Sequence, residues 1–165
     1  LGYATDFVDV AMRSVLPEIA RRGIKVVANA GGINPQGSAD ALAKLMQETG
    51  VKLKVAVVEG DDVSGMIPAL REAGQKDMFT GQPLPDRIVS ANASLGGLPI
   101  AQALAAGADI VITGRCVDSA VALAPLRRNS PHPAVARAIG RCFMRIVLIL
   151  PCQNKRSPNH HPTST

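Results

Sequence analysis

A chain of 165 residues suits one domain, and 47% apolar residues are enough to build a core. Aromatic residues make up only 2% and Trp is absent, so the core must be aliphatic. The same scarcity excludes nucleic-acid modules that stack bases on exposed aromatic rings. The formal net charge of +5 is unevenly placed: all 13 acidic residues lie at or before Asp118, whereas 127–165 hold basic residues and no acid. The positive excess belongs to the C-terminal segment and does not mark 1–126 as a nucleic-acid surface. Cys116, Cys142 and Cys152 are odd in number and lack C-x-x-C spacing, which predicts neither a disulfide framework nor a zinc site. A reduced, cytoplasmic setting is the expectation. The apolar run at 142–152 is shorter than the roughly 20 residues that a helical span needs. No membrane partner is expected.

In chain order, Phe7, Val10, Ala11, Val15 and Ile19 follow helical spacing, with Thr5 or Asp6 as cap and Gly23 as stop. Pro17 inside this pattern predicts a kink or a second short helix. A strand is expected at 24–28, then a Gly-rich turn at 29–35. A helix from about 36 to 49 follows, with Ala39, Leu42, Ala43, Leu45 and Met46 on its apolar face. The run LKVAVVEG (53–60) predicts the next strand, followed by helical spacing to about Ala73 and a loop over 74–87. RIVSANA (87–93) predicts a short strand. Pro99 suits the first turn of a helix that ends at Gly107. ADIVITG (108–114) predicts the clearest strand, followed by a helix from about 117 to 126. Near-continuous Val/Ile strands alternating with helices predict an α/β fold, with a mostly parallel open sheet and helices on both faces, Rossmann-like in class.

Residues 127–165 follow a different grammar. They contain all three His and five of the 12 Pro. The last fourteen residues are nearly all polar or Pro and are expected to be disordered. This segment reads either as a basic tail for nucleic acid or anionic surfaces or as an abnormal C-terminus, produced by truncation or a shifted reading frame, without an evolved role. The loss of the α/β pattern after Leu126 favours the second reading.

In open parallel sheets ligands bind outside the carboxyl ends of the strands. The strand ends here deliver Asn29, Gly31, Gly32 and Asn34; Glu59, Asp61 and Asp62; Ser90 and Asn92; and Gly114, Arg115, Asp118 and Ser119. Gly31 and Gly32 suit either a backbone cradle for an anion or a turn that simply needs positive φ. They match neither G-x-G-x-x-G nor a P-loop. Glu59, Asp61 and Asp62 suit Mg²⁺, with Asp61 and Asp62 as its ligands, or a general base, or an acidic helix N-terminus. Arg115 suits a carboxylate or phosphate clamp, or an ion pair with Asp118, Asp61 or Asp62. No His lies in 1–126, so Cys116 has no base partner there and reads as a packed residue. Asp118 and Ser119 suit either helix capping or ligand contact.

GYATDFV (2–8), GIKVVANAGGINP (23–35), KVAVVEGDD (54–62), IVSANASLG (88–96) and ADIVITGRCVDSAVALAPL (108–126) resemble, in order, the N-terminal domain of the acyclic terpene utilisation (AtuA) family. The resemblance covers 1–126 and leaves 127–165 outside it. It implies a cytosolic protein linked to catabolism of acyclic terpenes such as citronellol and geraniol, through acyl-CoA intermediates. The expected ligand is therefore a CoA thioester or another anionic small molecule. The family supplies no catalytic residue to carry over. It adds Pro35 and Gly60 to the motif positions named above, and Ser94 departs from it where an aromatic Tyr is expected. The resemblance also implies flanking segments beyond both ends, so that 1–126 would be an incomplete domain. Such a domain would pack with the rest of its fold or with a second copy. A non-catalytic binding or scaffold subunit, or an inactive fragment, is the alternative reading.

Overall fold

The computed structural model describes residues 2–129 and 145–149. The chain enters through a π-helical turn, Phe7–Met12, that continues into α1, Arg13–Arg22. Asp6 caps the entry by accepting the Phe7 N–H, and Gly23 ends α1 in the left-handed conformation at φ 64°. The helix runs through Pro17 without dividing in two. Its buried stripe is Val8, Met12, Leu16 and Ile19, whereas Val10, Ala11 and Val15 face solvent. Both stripes satisfy helical spacing. The one with the larger side chains is buried, because it removes more apolar surface from water.

Strand β1 is Val26–Ala28, helix α2 is Pro35–Thr49 and strand β2 is Val55–Glu59. After a 3₁₀ turn at Ser64–Met66 come α3, Ile67–Glu72, and α4, Leu98–Ala105. Strand β3 is Ile110–Thr113, and α5 is Asp118–Asn129. Strand β4, Arg145–Ile149, lies in a segment to which the sequence pattern assigned no element. The last fourteen residues lie outside the described residues.

The sheet order is β1-β3-β2-β4, with β1, β3 and β2 parallel and β4 antiparallel to β2. Strand alternation splits the core into two layers. Val55, Val57, Ile110 and Ile112 face α1 and α2, where Leu16, Leu42 and Leu45 are fully covered. Ala56, Val58 and Val111 face the other way, onto Leu95, Ile100, Leu104, Ala120 and Ala124 of the α4 and α5 side. Helices therefore cover both faces of a mostly parallel, open α/β sheet. Each fully buried Leu or Ile contributes roughly 1.5–3 kcal/mol, so this aliphatic core compensates for the scarcity of aromatic residues.

The expected strand at 87–93 does not form. Only Asn92 makes a bridge, to Asp62, and Val89 is 89% exposed. The reason is positional: β2 is paired with β3 on one side and β4 on the other, so Ile88 and Val89 meet no free ladder there.

Candidate functional site at the carboxyl edge of the sheet

Strand β1 leads into α2 on one face, and its neighbour β3 leads into α5 on the other. Adjacent strands whose connections diverge in this way leave a crevice at their carboxyl ends. A cleft of about 460 Å³ opens along this edge, lined by Ile33 and Pro35, by Glu59, Gly60, Asp61 and Asp62, by Ser64, and by Val89, Ser90 and Asn92.

Asp61 organises the cleft floor. It is 5% exposed, and its Oδ2 accepts the Asn92 amide at 3.1 Å and the Arg115 backbone N–H at 3.0 Å. Its backbone carbonyl accepts the Ala93 N–H at 2.7 Å. One residue thus joins the ends of β2 and β3 to the 91–93 segment. Gly114 lies so close beneath it that a Cβ there would collide with Asp61 Oδ1. Thr113, fully buried beside it, donates its hydroxyl to the Gly114 carbonyl at 2.9 Å.

Asp62 is exposed, and its Oδ1 accepts the Ser64 N–H at 2.9 Å. The side-chain and backbone donors of Ser64 hold its carboxyl below the usual carboxylate range. Asp62 is thus a weaker base than an ordinary carboxylate. Glu59, paired with Arg145 in the β2–β4 ladder, is half-buried on the cleft wall, and its side chain makes no hydrogen bond or ion pair among the described residues. No group of three or more His, Cys, Asp and Glu converges among the described residues. Asp61 is also already engaged with two donors. The carboxylates therefore form no three-ligand cluster among the described residues.

The Gly-rich turn packs against the sheet. A Cβ on Gly31 would stand 2.5 Å from the Thr113 carbonyl oxygen, and Gly32 has φ 53° with the Gly2 carbonyl close by. The Ile33 N–H donates to Gly2 at 2.9 Å and the Asn34 N–H to Gly31 at 2.8 Å. Asn34 caps α2, its Oδ1 accepting the Gly37 N–H at 2.9 Å. The N–H groups that precede α2 are thus largely engaged with the protein's own acceptors. From this turn it is Ile33 and Pro35 that line the cleft, and not Asn29, Gly31, Gly32 or Asn34.

At the β3 end, the Arg115 side chain is exposed and makes no ion pair among the described residues. Asp118 and Ser119 are exposed in the first turn of α5, where Asp118 complements the helix dipole. Cys116 is buried, with the Thr113 hydroxyl 3.5 Å from its sulfur. Glu59, Asp61, Asp62, Ser90 and Asn92 are brought together; Gly114 and Arg115 lie beneath through Asp61. Ile33, Ser64 and Val89 escaped sequence reasoning. For Ser64 a signal existed in the Asp-x-Ser spacing of a local side-chain turn.

The family model described as acyclic terpene utilisation family protein AtuA matches residues 1–129. The chain belongs to the AtuA family. No curated protein and no solved structure matches the chain. The AtuA match ends at the last residue of α5 and spans every element that lines the cleft. AtuA membership connects the chain with acyclic terpene utilisation. No helix among the described residues is long and apolar enough to cross a membrane.

Proposed function

We propose that the cleft takes a small-molecule intermediate of acyclic terpene breakdown, of the acyl-CoA type or another anionic form. The observation that carries this reading is the two-sided lining of the cleft. Ile33, Pro35 and Val89 offer apolar surface to a branched acyl chain, while Ser90 and Asn92 offer hydrogen bonds to its polar head. Arg115, anchored to the cleft floor through its backbone, supplies a guanidinium for a carboxylate or phosphate. Glu59 is the carboxylate left for proton transfer, because Asp61 is engaged and Asp62 is weakly basic.

A second reading, a binding or scaffold subunit without turnover, is favoured by Asp61 itself. A buried carboxylate whose hydrogen bonds join strand ends is a structural part. Titration of the full chain with the CoA thioester of citronellic acid, followed by NMR, tests the proposal. Shifts at Ile33, Ser90 and Val89 that free CoA does not produce are expected. Identical responses to thioester and free CoA, or none to either, would remove it.

A further inference from the structure

Residues 63–91 leave the carboxyl edge of the sheet and return to it at the same place. Asp62 and Asn92 form an antiparallel bridge, and the Val63 N–H donates to the Ala91 carbonyl at 2.9 Å. Between these paired ends no residue is buried. The excursion nevertheless has its own order. The Arg71 guanidinium donates to the carbonyls of Pro85 and Asp86, which ties the outgoing and returning limbs together. At the tip, Asp77 Oδ1 accepts the Phe79 N–H at 3.1 Å, the Thr80 N–H at 2.7 Å and the Thr80 hydroxyl at 2.8 Å. The Gly81 N–H closes the turn onto the Asp77 carbonyl at 2.8 Å.

This stapled tip presents Met78 and Phe79, 85% and 87% exposed. Single exposed apolar residues are ordinary on protein surfaces. Here Met66, Met78, Phe79 and Val89 all belong to one excursion, its returning limb lines the cleft, and exposed Ile33 stands on the facing wall. Its apolar residues Ile67, Leu70, Leu84 and Ile88 are only half-buried and none belongs to either core layer, so the arm loses no core contact when it swings and its position costs little to change. Its paired ends form a narrow attachment that Asp61 fixes to β3 through Arg115.

We propose that residues 63–91 are a flap, hinged at the Asp62–Asn92 bridge, which closes over a ligand in the cleft and covers its apolar part with Met78 and Phe79. This inference rests on the reading of the cleft as a ligand site. The apolar chain of the ligand supplies the difference in affinity between open and closed states that closure requires.

The chain has no Trp, so F79W places a single reporter at the flap tip. Binding of the CoA thioester of citronellic acid is measured by calorimetry on the full-length variant, alongside its fluorescence. The expected result is a blue shift of the F79W emission that saturates with the binding isotherm. F79A is expected to keep the fold and weaken thioester binding roughly tenfold, the loss of one covered aromatic contact. Binding heat with an unmoved spectrum overturns the flap while leaving the cleft reading intact. No binding heat overturns both. A blue shift that follows protein concentration without ligand assigns the tip to a contact between copies and also overturns closure.

Discussion

The carboxylate of Asp61 accepts the backbone N–H of Arg115 at 3.0 Å across 54 residues of sequence. The same oxygen holds the Asn92 amide, so the ends of β2 and β3 and the returning limb at 91–93 share one acceptor. Removing it leaves two donors without their partner. D61A is expected to destabilise the fold by about 3 kcal/mol, read as a lowered urea midpoint. D61N, which keeps an oxygen in place, should lose less. Equal and small losses in the two variants would show that Asp61 is not a clasp.

Gly31 packs against the end of β3, where a Cβ would meet the Thr113 carbonyl at 2.5 Å. That contact is backbone and cannot rotate away. G31A is expected to cost about 2 kcal/mol or more, whereas G65A, where a Cβ meets open space, should change stability far less. Thermal melts of the two variants compare them directly.

The opposite edge of the sheet has its own acidic clasp. Asp109 accepts the Lys25 ammonium at 2.7 Å and the Lys54 backbone N–H at 2.8 Å. Partial burial opposes its charge, but the Lys25 hydrogen bond, the Lys54 N–H and the two lysine charges outweigh it and hold the carboxyl below its ordinary value. A depressed native pKa means stability that is present above the unfolded carboxylate range and lost as pH falls through the native value. D109N is therefore expected to be less stable than the parent near neutral pH by about 0.5–1 kcal/mol, the scale of a solvent-screened pair. The difference should vanish in acid. A gap that persists under acid would assign the effect to packing.

Val89 is exposed on the cleft wall, so a charge placed there should leave the melt unchanged. V89D is expected to weaken binding of the branched acyl-CoA thioester at least roughly tenfold, about 1.4 kcal/mol, with no comparable effect on free CoA. Calorimetry with both ligands reads the difference.

The strands at 55–59 and 110–113 and the helices at 35–49 and 98–105 are legible because apolar period and end signals are local. Gly50 after Thr49 marks the end of α2 without reference to the rest of the chain, whereas Asn34, read from the sequence as a ligand contact, is its N-cap. The first helix shows where local reasoning stops. Its sequence carries two apolar stripes of helical spacing, and only contact with α2 and the sheet selects Val8, Met12, Leu16 and Ile19. The run at 87–93 shows the same limit, since strand propensity is idle where no unpaired strand lies alongside: β2, to whose end Asn92 bridges at Asp62, is already paired on both sides.

The candidate site divides along the same line. Polar and glycine residues at every strand end are readable because a parallel sheet collects strand ends at one edge. Which of them are structural depends on contacts between distant residues. Asp61 becomes a clasp because Asn92 and Arg115 arrive beside it, and Gly31 becomes obligatory because Thr113 lies against it. Ile33 and Val89 become cleft walls because the turn after β1 and the limb before Asn92 converge there. Periodicity and family motifs are properties of neighbours along the chain, and they suffice for the α/β class and AtuA membership. Strand order and the division between clasp and cleft depend on long-range contacts, whose partners no local pattern names.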